Sequence, residues 1–471
     1  MIKFGTGGWR AIIGEDFTKA NIQILAKAMA DKMKAEGVAE QGVVMGYDRR
    51  FLSRETVIWS CEVLAAEGIV TYFVRRSVPT PLVMNHVMKH DFSYGMMVTA
   101  SHNPSLYNGI KVFTKGGRDA DGAQTKDIES YIEKVDVQNI KRMDYNEALK
   151  QGLVVEFYPM NEYIDDIMSK INMKAIKNAG LSIVLDPMFG VSETALSTIL
   201  ISGRCDLKVI NQEHDTLFGG KMPAPSEERL GLLKNYVVDK GYDLGLATDG
   251  DADRLGVIDD KGNYLHPNDI LVLLYYYLVK YKGWNGPVVR NIATTHRLDV
   301  IANKYGEVCY EVPVGFKHIS SKMTETKAIL GGESSGGLTV AGHINGKDGV
   351  YAASLLVEMV AVTGKKLSEL MRMIEEECGT CFMEEQSYTF SQAVKQDLIK
   401  RLFEEKELPN LEPYEIDHVS YMDGCKVFFK NGGWVIARFS GTEPLLRIFC
   451  EMPEQAEAVD ICNRFKTHFE I

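Results

Sequence analysis

Short apolar or β-branched runs alternate along this chain with longer stretches in which apolar residues return every three or four positions. Ile22, Leu25, Ala26, Met29 and Met33 fall on one helical face, and the strand-like run VVMGY follows from Val43. Helix-sized segments recur between further strand candidates at Ile69–Val74, Gly95–Thr99, Leu181–Leu185, Leu244–Thr248, Pro287–Val289 and Ala328–Leu330. This alternation predicts α/β units with largely parallel sheets covered on both faces. At roughly 100–200 residues per domain, a chain of 471 residues makes three or four domains. Boundaries are expected in the polar stretch MDYNEALKQG near 150, just after a polar loop near 257, and near 380, dividing the chain into 1–150, 151–257, 258–380 and 381–471. The first three segments are candidates for divergent copies of one unit, although no repeat period is visible.

Composition acts mainly by exclusion. With 45% apolar and 25% charged residues the chain is neither disordered nor fibrous. A formal charge of −11 repels polyanions such as nucleic acid or an acidic membrane, and leaves small anions held by local cations. The opening MIKFGTGGWRAIIG lacks the basic leader, apolar core and cleavage site of a signal peptide. Ile270–Val279, the most apolar stretch, is about half the length that spans a bilayer and reads as a core helix. Eight scattered cysteines in a chain of this length fit a reducing cytoplasm rather than a disulfide scaffold. Their single C-x-x-C pair, Cys378 and Cys381, has no flanking partners for a zinc site.

Four strand candidates end in polar loops: GMMVTASHNP, DLGLATDGDADR, AILGGESSGG and WVIARFSGTEP. Ligands of open α/β sheets bind beyond the carboxyl ends of the strands, so these loops are where chemistry is expected. In the second loop, Asp249, Asp251 and Asp253 precede Arg254. Three carboxylates this close read either as a solvated acidic turn or as a site where a cation offsets their repulsion, and hard oxygens suit Mg²⁺ or Ca²⁺. An EF-hand is excluded, because Arg254 and Asp260 stand where its glycine and bidentate glutamate belong. In the first loop Ser101, followed by His102, Asn103 and Pro104, reads either as ordinary turn chemistry or as a nucleophile or phosphoryl carrier. The third loop contains G-x-S-x-G around Ser334, the pattern of a serine hydrolase, but His343 follows too soon and only His418 and His468 stand further on. In the fourth loop Ser440, Gly441 and Thr442 are bracketed by Arg438 and Arg447, which read either as solvated strand arginines or, with the hydroxyls, as a combination suited to a phosphate dianion.

Taken in order, FGTGGWR from Phe4, TASHNP, DGDADR, GESSG and FSGTEP resemble the signatures of the α-D-phosphohexomutases over essentially the whole chain, with echoes in GYDRR, YNGIK, VGFKHI and KDG. The resemblance implies three related α/β domains and a smaller C-terminal α+β domain around a central cleft. It implies that Ser101 is phosphorylated and that Asp249, Asp251, Asp253 and a phosphoserine oxygen hold Mg²⁺. Arg10, His102, Lys111 and Arg254 would line the phosphoryl-transfer centre, with Lys111, His102 and Arg10 the candidates for general acid and base. Glu333 and Ser335 would grip sugar hydroxyls, with Lys317 and Lys347 near the sugar. Arg438, Ser440, Gly441, Thr442 and Arg447 would hold the phosphate that is not being transferred. The expected reaction is interconversion of α-D-glucose 1-phosphate and glucose 6-phosphate through glucose 1,6-bisphosphate, in a monomer or homodimer with no nucleic-acid or membrane partner. GESSGG, without the histidine of the GEQSGH often seen in mannose and glucosamine enzymes, is similar to the phosphoglucomutase branch. A mannose or dual-specificity enzyme is the alternative, with a phosphoglucosamine mutase, a bisphosphate synthase or a non-catalytic sensor behind it.

Overall fold

A computed structural model, describing residues 2–5, 7–439 and 445–471, contains four sheets that follow one another along the chain. The first is ordered Phe4–Gly5, Gly8–Ile12, Tyr107–Thr114, Tyr94–Val98, Val43–Tyr47, Thr71–Val74, Val154–Phe157, with Arg118–Asp119 beside Tyr107–Thr114. The second runs Asp206–Val209, Ser182–Asp186, Leu244–Thr248, Leu255–Ile258, Tyr264–Leu265, and the third Cys309–Val312, Val288–Asn291, Leu330–Gly332, Leu338–Val340.

One topology underlies all three. Four consecutive strands lie in the spatial order second, first, third, fourth; the first three are parallel and the fourth turns back antiparallel on the third. Helices separate the parallel strands, as a parallel crossover requires. The central strands Val43–Tyr47, Tyr94–Val98 and Leu244–Thr248 are buried at every position, which is why they read as continuous apolar runs. In each unit the turn from third to fourth strand is a signature loop: 99–106, 249–254 and 333–337.

Two expected boundaries fall inside structure. MDYNEALKQG folds as the helix Tyr145–Lys150, capped by the Asp144 carboxylate, and leads into Val154–Phe157 on the edge of the first sheet. Position 257 lies within the strand Leu255–Ile258, whose neighbour Tyr264–Leu265 completes the second sheet. The polar stretch was a poor guide because a short exposed helix is as polar as a linker.

Ile270–Val279 lies in the helix Pro267–Lys280 and is buried throughout. Its side chains belong to an apolar cluster that runs from Val83 in the first unit through Ile164 and Leu185 to Leu356 in the third. Among the described residues no helix is long and apolar enough to cross a membrane.

The C-terminal unit differs in kind. Its sheet, Phe382–Thr389, Leu445–Met452, Trp434–Phe439, Cys425–Phe429, Ile416–Ser420, is antiparallel throughout. The helix Gln455–Phe469 buries Ala458, Ile461, Cys462 and Phe465 in a separate core with this sheet. Contact with the third unit is narrower: Ile292 and Ala293 pack against Trp434, Ile436 and Phe449.

Candidate active site

The serine loop is strained and tightly held. Ser101 has φ +53°, is fully buried, and its N–H donates to Thr99 Oγ1 at 2.8 Å. Left-handed backbone at a non-glycine residue persists only where the surroundings over-determine it. Here Arg50 does so: its guanidinium donates to the carbonyls of Ser101 and Asn103 at 2.6 Å and of Pro104 and Tyr107 at 2.9 Å. Asp48 accepts from Thr99 Oγ1 at 2.6 Å and from the N–H of Arg50 at 3.0 Å. Both residues come from GYDRR, whose part in the site the sequence reading missed; an apolar strand ending in adjacent charges was the available signal.

The acidic loop of the second unit lies directly against the serine. Ser101 Oγ donates to Asp249 Oδ2 at 2.8 Å. A Cβ on Gly250 would sit 2.8 Å from the Ser101 carbonyl, so only glycine permits this approach. Asp249, Asp251 and Asp253 are buried, and one carboxylate oxygen from each lies within 4.8 Å of the others. Asp249 Oδ1 accepts the backbone N–H groups of Asp253 and Arg254 at 3.0 and 3.1 Å. Asp251 Oδ2 accepts from Thr80 Oγ1 at 2.6 Å and Lys111 Nζ at 2.7 Å, while Asp253 Oδ2 is 2.8 Å from Lys111 Nζ and 2.9 Å from Lys347 Nζ. Asp251 Oδ1 and Asp253 Oδ1 are buried and accept no hydrogen bond. Buried lone pairs of that kind are costly, and a hard divalent cation bound by oxygen would satisfy them.

The electrostatics follow from this crowding. Burial and the Asp253 and Asp251 carboxylates push the Asp249 carboxyl well above its ordinary range. Burial would also raise Asp253, but the Lys111 and Lys347 ammoniums outweigh it and hold it well below. Burial alone would depress Lys111; Asp251 and Asp253 overcome that and raise it. His102, with Nδ1 3.4 Å from Ser101 Oγ, is pushed well below its ordinary value by the Arg254 cation, by burial and by Arg10. Arg10 donates to Asn103 Oδ1 at 2.7 Å, and burial and Arg254 lower it. Arg254 Nε lies 3.8 Å from Asp253 Oδ1.

The third loop contributes a different chemistry. Glu333 Oε1 accepts from the N–H of Gly315 at 3.0 Å and from Asn291 Nδ2 at 3.2 Å, leaving Oε2 3.5 Å from Ser335 Oγ. The structure places Lys347, expected near the sugar, on Asp253. Gly337 makes room for it, since a Cβ there would collide with Lys347 Cδ. Lys317, on the helix Phe316–Thr326, reaches the first unit, where its Nζ would lie 3.1 Å from a Cβ on Gly122.

No hydrolase triad forms around Ser334 among the described residues. His343 is buried with Nε2 2.6 Å from Asp348, His418 pairs with Asp417 at 2.8 Å, and His468 lies 2.8 Å from Glu407. Ser334 N–H donates to Thr294 Oγ1 at 3.1 Å.

In the C-terminal sheet Arg438 and Arg447 stand directly opposite one another in the antiparallel register. Arg438 donates to Asp423 Oδ2 at 3.0 Å, and the same oxygen accepts the N–H of Val314 from the third unit at 2.8 Å. Arg447 is exposed. Like charges facing across a strand pair repel, an arrangement that a bound anion relieves. Ser440, Gly441 and Thr442, which join these strands, lie outside the described residues.

A fold of three alike α/β units, with a serine loop and an acidic loop meeting at one buried hydroxyl, defines a class of phosphoryl-transfer enzymes, and comparison with known proteins narrows it. Models of the phosphoglucomutase/phosphomannomutase α/β/α domains I, II and III match residues 1–139, 161–262 and 266–377, and that of the C-terminal domain matches 395–468. A phosphoglucomutase/phosphomannomutase of Thermococcus kodakarensis is 29% identical, over 97% of this chain and 95% of its own. A "probable phosphoglucosamine mutase" of Methanosphaera stadtmanae is 30% identical, over 95% of this chain and 94% of its own. A crystal structure from Thermus thermophilus, 27% identical, superposes with a TM-score of 0.86, covering 100% of this chain and 99% of that one. The chain belongs to the phosphoglucomutase/phosphomannomutase family of α-D-phosphohexomutases, and it is a mutase-type isomerase.

Proposed function

We propose that the protein interconverts hexose 1- and 6-phosphates, with glucose phosphates as its preferred substrates, through phosphorylated Ser101 and glucose 1,6-bisphosphate. The observation that carries this reading is Ser101 Oγ, which donates to Asp249 at 2.8 Å in a buried acidic loop where two further carboxylate oxygens accept no hydrogen bond. Asp249, Asp251, Asp253 and a phosphoserine oxygen would hold Mg²⁺. That ion, when bound, polarises the transferring phosphoryl group and offsets its negative charge.

The chain's own groups account for the rest. Phosphoryl transfer depends on positioning and on cations around the moving oxygens, and Arg254, Lys111 and Arg10 would supply these. Lys111 spans Asp251 and Asp253, so it fixes the acidic loop while keeping one ammonium at the centre. His102, beside Ser101 Oγ, is placed to hold the proton that leaves or returns there. Glu333 Oε2 and Ser335 Oγ, 3.5 Å apart, would serve as acceptor and donor for sugar hydroxyls. Arg438 and Arg447, with Ser440, Gly441 and Thr442, clamp the distal phosphate. A mutase must accept its bisphosphate in both orientations, and a clamp on a separately cored unit can hold whichever phosphate is remote.

A second reading, phosphoglucosamine mutase, is favoured by the name of the Methanosphaera relative. A coupled assay with Mg²⁺ and a trace of glucose 1,6-bisphosphate compares the 1-phosphates of glucose, mannose and glucosamine. The proposal expects fastest turnover with glucose 1-phosphate, lost in Ser101→Ala and on chelation with EDTA. Faster turnover of glucosamine or mannose phosphate overturns the glucose preference, and undiminished activity in Ser101→Ala overturns the phosphoserine.

A further inference from the structure

Apart from the aspartate triplet, one other group of three metal-type ligands gathers among the described residues: His86, His90 and Glu162. It lies outside the cleft chemistry, at the junction of the first two units. His86 belongs to the helix Thr80–Lys89 and His90 caps its end, its N–H donating to the His86 carbonyl at 3.1 Å. An i, i+4 spacing puts both rings on one helical face, and their centroids are 4.2 Å apart. Glu162 comes from the first turn of the helix Met160–Lys170.

We propose that His86, His90 and Glu162 form a binding site for Zn²⁺ or a similar borderline transition-metal ion, joining the helix of the first unit to the helix that leads into the second. Glu162 Oε2 lies 3.3 Å from His86 Nδ1 and 3.2 Å from His90 Nε2. Ligands about 2.05 Å from a tetrahedral zinc stand about 3.3 Å from one another, which both Oε2 distances match; His90 Nε2 also lies 2.9 Å from Glu162 Oε1, and a bound ion would replace these hydrogen bonds. All ligand atoms lie within 4.8 Å of one another, and His90 is exposed. The His86 ring is held between Phe157, 4.8 Å away, and Phe92, 5.9 Å away.

The surroundings favour a cation. The site lies at a helix C-terminus, whose free carbonyls carry partial negative charge. Lys89, the nearest competing ammonium on this helix, is engaged by Asp166 at 2.9 Å. Two imidazoles and one carboxylate with an open fourth position suit Zn²⁺ or Co²⁺ and not Mg²⁺, so the ion would be distinct from the one in the cleft. The other end of the same helix reaches that cleft, since Thr80 donates to Asp251. A bound ion would therefore brace the helix that orients the acidic loop.

The test uses the full chain, stripped of metal and saturated with Mg²⁺ to occupy the aspartates, then titrated with Co²⁺. One Co²⁺ per chain is expected, with the visible d–d absorption of tetrahedral nitrogen and oxygen ligation and no thiolate charge-transfer band. Loss of a group that merely supports a metal ligand typically costs 10- to 100-fold, so His90→Ala and Glu162→Gln should each weaken binding at least about tenfold. Both positions are partly exposed, and unchanged far-ultraviolet circular dichroism and melting in chelator would confirm folding of the variants. Absence of saturable binding, a thiolate band, or the same band and affinity in both variants would overturn the site.

Discussion

Arg50 is a single buried cation that holds the shape of the serine loop. Its guanidinium gathers four carbonyls of the serine loop and lies over the Phe218 ring at 4.9 Å, with Asp48 3.4 Å from its Nε. Arg50→Met would leave Asp48 buried and uncompensated and release Ser101 from its left-handed conformation. We expect a loss of about 3–5 kcal/mol in unfolding free energy and a fall in kcat larger than any rise in KM. Wild-type kcat in a folded variant would remove the serine-loop conformation from the account. Arg50 was hard to read in the sequence because an arginine is ordinarily solvated. What buries it is the spatial convergence of carbonyls from 101 to 107, which no spacing displays. The aspartates stood out in the sequence as a carboxylate cluster after an apolar strand, whereas Ser101 read equally as turn chemistry and was singled out by the resemblance; the structure brings the two loops together.

At the scale of elements, three of the four loops occupy the same place: the turn from the third parallel strand to its antiparallel neighbour. The strand candidates and these loops were visible as apolar runs ending in glycine and polar clusters. Their equivalence was not, since the units differ by an N-terminal hairpin in the first sheet and by edge strands at Val154 and Tyr264, which erase any fixed period. The fourth loop joins two antiparallel strands instead, and there the cross-strand pair Arg438 and Arg447 carries the argument. Arg447→Ala should weaken phosphate binding by about 1.5–3 kcal/mol, the worth of a charged hydrogen bond, seen as a rise in KM for the hexose phosphate. An unchanged KM and kcat would move Arg447 out of the clamp.

Across the whole molecule, a continuous apolar core ties the first three units together, while the C-terminal unit meets the third through a small apolar patch and a buried charge cluster. Lys426 stands at that junction, donating to the Ile292 carbonyl at 2.7 Å and to Glu311 at 2.6 Å, with His296 at 3.0 Å. Burial and the Arg290 cation outweigh the attraction of Glu311 and Asp299 and bring its pKa down to about 7. Below that value the folded protein must hold a buried ammonium; above it, and up to the ordinary lysine value of 10.5, the unfolded chain binds a proton that the folded one does not. Stability relative to Lys426→Met should therefore rise with pH through this window, by up to about 1.4 kcal/mol per pH unit. A difference between the two proteins that is constant from about pH 6 to 10 would contradict a depressed Lys426.

The central claim concerns Ser101, and phosphopeptide mass spectrometry tests it most directly. After incubation with Mg²⁺ and glucose 1,6-bisphosphate, phosphate should be found on Ser101 and should leave when excess glucose 1-phosphate is added and the product bisphosphate is removed. Turnover with Ser101 unmodified throughout, or with phosphate carried on another residue, would contradict the account.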